Sequence, residues 1–278
     1  MHRFKNSYYP VKKHLSTCLV GIVALLAGSA AAYAAASAPA LGAAAGFAVL
    51  GGTNVTCTNG VVIGDLGVSP GGAVPYTNTS CTISGGVPPA TNAAATSARS
   101  AFLSAYAAMQ NQASACINMP GNLASQNLAP GVYCLDATAK AGTLTLDGQG
   151  NVNAVWVFLV NGALTGTNFS VVMSNGGQPC DVFWAPSGAT TMTNSAFEGN
   201  ILAGNATNGS ITLTGGTLSG RALANVGVTM TGASVIGCDA LSGAPSNASS
   251  CRDRGRDGYR DNNNSNSNNE NDGKSGNN

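Results

Sequence analysis

Five tripeptides of one form punctuate the second half of the chain: Thr143-Leu144-Thr145, Ala163-Leu164-Thr165, Thr191-Met192-Thr193, Thr212-Leu213-Thr214 and Thr229-Met230-Thr231. Each sets one large apolar residue between small ones. Alternate side chains of an extended strand leave on opposite faces, so the pattern predicts Leu or Met in a core and threonines on the outer surface. The tripeptides start 20, 28, 21 and 17 residues apart. That is the length of one turn of a β-solenoid with corners of varying size. Asn161-Gly162, Asn175-Gly176-Gly177, Gly204-Asn205 and Asn208-Gly209 fall between these strands, where tight corners need left-handed backbone. Trp156, Phe158, Phe183, Trp184, Phe197 and Ile201 are the large residues expected to fill or cap the core.

Two other regions have their own periods. Residues 41–88 carry short apolar runs, Phe47-Ala48-Val49-Leu50 and Val61-Val62-Ile63, among Gly, Thr and turn pairs, and read as short strands of a first solenoid section. From about residue 90 to 116 the chain is rich in Ala and free of Gly and Pro. Phe102, Tyr106, Met109 and Ala113 recur there at helical spacing, which predicts one amphipathic helix packed on the β body. A capping loop is expected over 117–138, bracketed by Pro120-Gly121 and Pro130-Gly131. The fold class is therefore dominated by β structure: a solenoid with one long α-helix alongside.

The ends differ from the middle. Arg3, Lys5, Lys12 and Lys13 precede an apolar run starting at Leu15, followed by small residues from Ala30 to Ala38. This is the pattern of a secretory signal peptide over 1–38, with a cleavage site at Ala32-Tyr33-Ala34 or Ala36-Ser37-Ala38. Its apolar part is shorter than the roughly 20 residues a spanning helix needs. A secreted or cell-surface protein with no membrane insertion after cleavage is expected. The β-helix domain is expected over 39–240. From 241 to 278 Asn, Ser and alternating Arg and Asp dominate, a composition that cannot bury enough apolar surface to order itself.

Composition narrows the chemistry. Between Pro39 and Pro245 the only basic residues are Arg99, Lys140 and Arg221, against Asp65, Asp136, Asp147, Asp181, Glu198 and Asp239. Nucleic-acid affinity comes largely from clustered Lys and Arg, so that partner is excluded. Both histidines, His2 and His14, lie in the signal peptide, which removes the commonest general base and transition-metal ligand. The carboxylates are scattered singly, and no enzyme activity, cofactor or metal site is expected. Seven cysteines follow the signal peptide. In an exported protein these favour disulfides, and Cys116 with Cys134 is the pairing expected to tie the helix end to the following loop. Cys251, in the tail, is left as the odd one.

Stacked Thr-x-Thr strands would present hydroxyls and methyls roughly 6.6 Å apart along a strand and about 4.8 Å apart between strands. Both values lie near repeats of the ice lattice. The candidate face comprises Thr143, Thr145, Thr165, Thr167, Thr191, Thr193, Ser195, Thr212, Thr214, Thr217, Thr229 and Thr231. The chain also resembles the secreted microbial ice-binding (antifreeze) proteins with a discontinuous β-helix. The resemblance is carried by Val62-Ile63-Gly64-Asp65-Leu66-Gly67-Val68-Ser69-Pro70-Gly71, Leu128-Ala129-Pro130-Gly131-Val132-Tyr133, Asn153-Ala154-Val155-Trp156-Val157-Phe158 and Phe197-Glu198-Gly199-Asn200-Ile201-Leu202-Ala203. It implies a β-helix of triangular section, a helix alongside, coils not stacked in sequence order, and adsorption of a monomer to an ice crystal surface. Some members carry Thr-(Ala/Gly)-x-(Thr/Asn) on the binding face. Thr165-Gly166-Thr167-Asn168 and Thr214-Gly215-Gly216-Thr217 fit that form, while Thr193-Asn194-Ser195-Ala196 departs from it. The alternative is a cell-surface adhesin or carbohydrate-binding solenoid without ice activity.

Overall fold

A computed structural model describes residues 35–70, 75–86 and 93–241. Most of the expected signal peptide and all but the first residue of the expected tail lie outside them. Among the described residues nineteen short strands, all pairing in parallel register, wind into a β-helix whose coils present three faces.

The first face stacks Tyr76–Thr79, Asn54–Thr58, Gly227–Thr231, Ile211–Thr214, Thr190–Thr193 and the start of Leu164–Ser174, in that order. The second runs in the same direction from Thr82–Ser84 through Val61–Ile63, Ser234–Ile236 and the starts of Thr217–Ala224 and Ala196–Ala203. It continues through the end of Leu164–Ser174 and Lys140–Asp147 to Asn127–Leu128. The third stacks Asp65–Val68, Phe47–Gly51, the ends of Thr217–Ala224 and Ala196–Ala203, then Val182–Pro186, Trp156–Asn161, Gly131–Asp136 and Ile117–Asn118.

Spatial order thus departs from chain order. The chain enters at Phe47–Gly51 and builds outward to one end at 76–84. It then crosses along the body as a helix, Ala93–Gln110, and restarts at the far end with Ile117–Asn118. Coils then accumulate until Ser234–Ile236 docks on Val61–Ile63. The stretch expected as a capping loop over 117–138 therefore contains strands, and Gly131–Asp136 pairs along its whole length with Trp156–Asn161. The prolines marked the turns, but the apolar run Val132, Tyr133 and Leu135 that follows Pro130-Gly131 is buried and forms this strand.

The strands of the third face are buried nearly throughout, because one side lines the interior and the helix covers the other. Ala95, Ala98, Phe102, Ala105 and Met109 form the helix's buried stripe against Phe47, Leu50, Val157, Phe183, Leu202 and Leu223. Tyr106 sits at the edge of that stripe, with its hydroxyl donating to the Pro186 carbonyl at 3.3 Å. The helix stops at Gln110, short of the expected 116. Gln112 N–H bonds to Met109 O at 2.9 Å, and the tightened turn leads into a short 3-10 helix, Ala113–Ala115. Cys116 is extended and is bonded to Cys134. Two further disulfides join Cys57 to Cys81 and Cys180 to Cys238.

The interior is filled by a ladder of rings, of which Tyr133, Phe158 and Trp184 are in register. Tyr133 stacks on Phe158 at 5.5 Å, Phe158 on Trp184 at 3.9 Å, and Trp184 meets Phe197 at 4.9 Å. The indole N–H of Trp156 donates to Leu128 O, and that of Trp184 to Glu198 O, so neither is left unsatisfied. Buried Arg221 is consumed by structure: Nε and Nη2 donate to Ala45 O, and Nη1 to Asn200 Oδ1 at 3.0 Å. Asn200 in turn donates to the carbonyls of Cys180 and Val182. Lys140 is also buried, its Nζ donating to the carbonyls of Asp136 and Thr138.

Leu213 points inward from the middle of the first face, only 3% exposed. Leu213→Ala is expected to cost about 2–5 kcal/mol by opening a cavity in this interior. Denaturant unfolding checks it, and a cost under about 1 kcal/mol would place the side chain outside the core.

Candidate functional site

Register on the first face brings threonines together in two columns. One runs Thr77, Thr56, Thr229, Thr212, Thr191, Thr165, and the other Thr79, Thr58, Thr231, Thr214, Thr193, Thr167. All twelve side chains are exposed or half-exposed. Their partners across the strand, Cys57, Met230, Leu213 and Met192, are buried beneath. The six strand segments contain no charged residue. Threonine is branched at Cβ and keeps few rotamers on a strand, so the columns form a stiff two-by-six array.

The corner after the second column keeps the rungs aligned. Its residues, Ser80, Asn59, Gly232, Gly215, Asn194 and Asn168, all have positive φ, between 47° and 61°. Gly, and less readily Asn, adopts that conformation at low cost, hence the Gly, Asn or Ser after the second Thr of each rung. Asn59, Gly232, Gly215 and Asn194 each donate a backbone N–H to the preceding rung's second threonine carbonyl, every time at 2.8 Å. Gly166, at the centre of the last rung, leaves room for a neighbouring side chain. A Cβ there would stand 2.6 Å from Met192 Sδ.

Eight of the sequence-derived candidates therefore stand in the array: Thr165, Thr167, Thr191, Thr193, Thr212, Thr214, Thr229 and Thr231. Four stand elsewhere. Thr143 and Thr145 lie on the second face, opposite Ser170 and Val172, because their strand belongs to the coil's other side. Thr217 begins a second-face strand, between Ala196 and Ser234. Ser195 is buried inside the corner, its hydroxyl donating to Thr193 O and accepting from Phe169 N–H. Sequence reasoning missed Thr56, Thr58, Thr77 and Thr79. Their signal was the same alternation with Cys57 or Asn78 in place of an aliphatic centre.

The second face is less regular. Its outward positions mix Thr82, Val61, Ser234, Thr217, Ala196 and Ser170, and Val61 and Val172 are well exposed. It also carries a charge, Glu198. Burial pushes the Glu198 carboxyl above its ordinary value, opposed by a hydrogen bond with Ser219, and Oε2 meets no hydrogen-bond partner among the described residues. Among those residues no group of His, Cys, Asp and Glu gathers to hold a metal.

The ice-binding-like family model matches residues 49–236. The chain belongs to that family. It is 39% identical over 184 residues to the ice-binding protein of Nostoc sp. (strain HG1), an alignment covering 61% of this chain and 63% of the Nostoc protein. The chain thus spans less than two thirds of that relative's length. The solved DUF3494 domain of Shewanella frigidimarina ice-binding protein 1 superposes with a TM-score of 0.61 at 26% identity, covering 73% of this chain and 98% of that one. An ice-binding protein from an Antarctic biological consortium gives a TM-score of 0.60 at 31% identity, covering 73% and 92%. The β-helix of this ice-binding-like chain is the fold of its relatives.

Glu198 yields a pH-dependent prediction. A carboxyl whose value is raised in the folded state favours folding while protonated, and that contribution is lost as pH rises through the raised value. Asp181, also raised by burial, acts in the same sense. Asp136 and Asp147, lowered by hydrogen bonds, act in the opposite sense. Glu198→Gln is expected to raise the melting temperature at pH 7 and to change it little below the ordinary carboxylate range. Paired melts at acid and neutral pH test this; a gain independent of pH would show that the charge is not the cause.

Proposed function

We propose that the protein binds ice by adsorption of the two-by-six threonine array. The observation that carries this reading is the register. Twelve threonines recur at about 4.8 Å between coils and about 6.6 Å along each strand, with no charge among them. Methyl groups and hydroxyls at these repeats can hold surface water in an ice-like arrangement before contact, so water mediates the attachment. The face is stiff, and little side-chain ordering opposes adsorption. Ice then grows only between adsorbed molecules, as a curved and less stable front.

The same reading makes the protein a non-enzymatic, exported monomer with no nucleic-acid partner. The cavities beneath the corner and beside Cys238 hold about 10 Å³ each, the size of a water. Names of the relatives support ice binding and give no support to the adhesin alternative. Export is supported by the three disulfides and by the leader pattern. Ala36 packs against the helix cluster, and Ser37 exchanges two backbone hydrogen bonds with the Gln112 side chain, at 3.0 and 2.9 Å. Removal of the leader after Ala34 keeps these contacts, whereas removal after Ala38 destroys them. The exported protein is expected to begin at Ala35, which an intact mass decides against Pro39.

Thr214→Tyr is the direct test of the face. The residue is exposed near the middle of the array, so folding should change by no more than about 0.5 kcal/mol. The bulky ring lifts the surface from a flat partner, and thermal hysteresis should fall severely. Full activity with unchanged melting would mean that another side of the solenoid makes the contact.

A further inference from the structure

We propose that the Cys57–Cys81 disulfide is the positioning element for the outermost rung, Thr77 and Thr79, and thereby sets the length of the ice-contact array. The inference rests on the reading of that array as the ice-contact face.

The outer coil is the least secured part of the face. Tyr76–Thr79 and Thr82–Ser84 pair on one side only, with Asn54–Thr58 and Val61–Ile63, and have no strand on their other side among the described residues. None of residues 75–86 is buried. Tyr76, Cys81 and Ile83 are the residues of this coil that pack on the interior, and only partly, whereas Val55, Cys57 and Val62 beneath them are fully buried. Apolar burial is therefore a weak restraint on this coil.

The covalent restraint meets the rung at its centre. Cys57 occupies the inward position between Thr56 and Thr58 and is in register with Asn78, the residue between Thr77 and Thr79. The Asn78 side chain clasps Cys81: Oδ1 accepts from Cys81 N–H at 2.8 Å, and Nδ2 donates to Cys81 O at 3.3 Å. Gly60 N–H points at Cys81 Sγ at 3.0 Å. Asn78 is thus fastened to Cys81, and Cys81 to the core of the next coil. The two threonines flanking Asn78 inherit their place from that linkage. Without it the sixth rung is free to leave the plane, and five remain.

The test is a double-mutant cycle on the full exported chain, using Cys57→Ala/Cys81→Ala and Thr79→Tyr, with thermal hysteresis and amide hydrogen exchange as readouts. Thr79→Tyr is expected to lower hysteresis in the disulfide-bonded protein and to have no further effect once the disulfide is removed. The disulfide-free protein should lose part of its hysteresis. Its amides at 76–84 should exchange at least tenfold faster while those at 211–214 are unchanged. Equal effects of Thr79→Tyr in both backgrounds overturn the proposal. So does uniform acceleration of exchange, or a disulfide-free chain that does not fold, since either makes the bond a restraint on the whole body. Thr214→Tyr separates the two readings. If it leaves hysteresis intact, the face assignment fails and the array-length claim with it, while exchange at 76–84 still decides whether the disulfide positions this rung.

Discussion

The structure depends on the backbone hydrogen-bond ladder between parallel coils. That ladder fixes the separation of successive rungs at about 4.8 Å and forces each residue to stand directly over its counterpart in the next coil. Strand alternation then sorts every position inward or outward. A column of Leu, Met and Cys inside is therefore accompanied, with no additional information, by two columns of threonine outside. The interior and the outer array are two readings of one register, and a residue added to a strand would ruin both.

Corners keep that register intact. The left-handed residue after Thr58, Thr79, Thr167, Thr193, Thr214 and Thr231 turns the chain at the same place in every coil. Variation in length is moved to the other corners, such as the 204–210 segment and the 148–154 turn. The aromatic ladder from Tyr133 to Phe197 acts with the helix on the third face. Rings fill the interior, and the helix seals the outer side of the third-face strands with Ala95, Ala98 and Ala105 around two large residues, Phe102 and Met109.

Much of this was legible in the sequence, and the failures have definite causes. Period-two alternation marked the strands and period 3.6 marked the helix, since each reports which face is buried. Local pattern cannot say which of three faces a strand joins. Thr143-Leu144-Thr145 has the same alternation as Thr212-Leu213-Thr214 but turns onto the second face. Nor could it show that Thr56-Cys57-Thr58 belongs beside a strand more than a hundred residues away, with Thr77-Asn78-Thr79 as the next rung beyond it. The Ala163-Leu164-Thr165 reading is off by two positions. The rung is Thr165-Gly166-Thr167, whose centre has no side chain and is packed by Met192.

The out-of-order stacking has a consequence for how the chain matures. Phe47–Gly51 needs residues 222–223 as its neighbour on one side, and Asn54–Thr58 needs Gly227–Thr231. The strands synthesised first are thus completed by strands synthesised almost last. Such sequence-distant pairings close slowly. A chain emerging from a ribosome or an export channel cannot finish its β-helix vectorially from one end. The early coils wait, with apolar edges open, until nearly the whole domain has emerged: the rungs from Thr165 to Thr231 can stack in chain order, but those of Thr56–Thr58 and Thr77–Thr79 join the array only once Gly227–Thr231 is available.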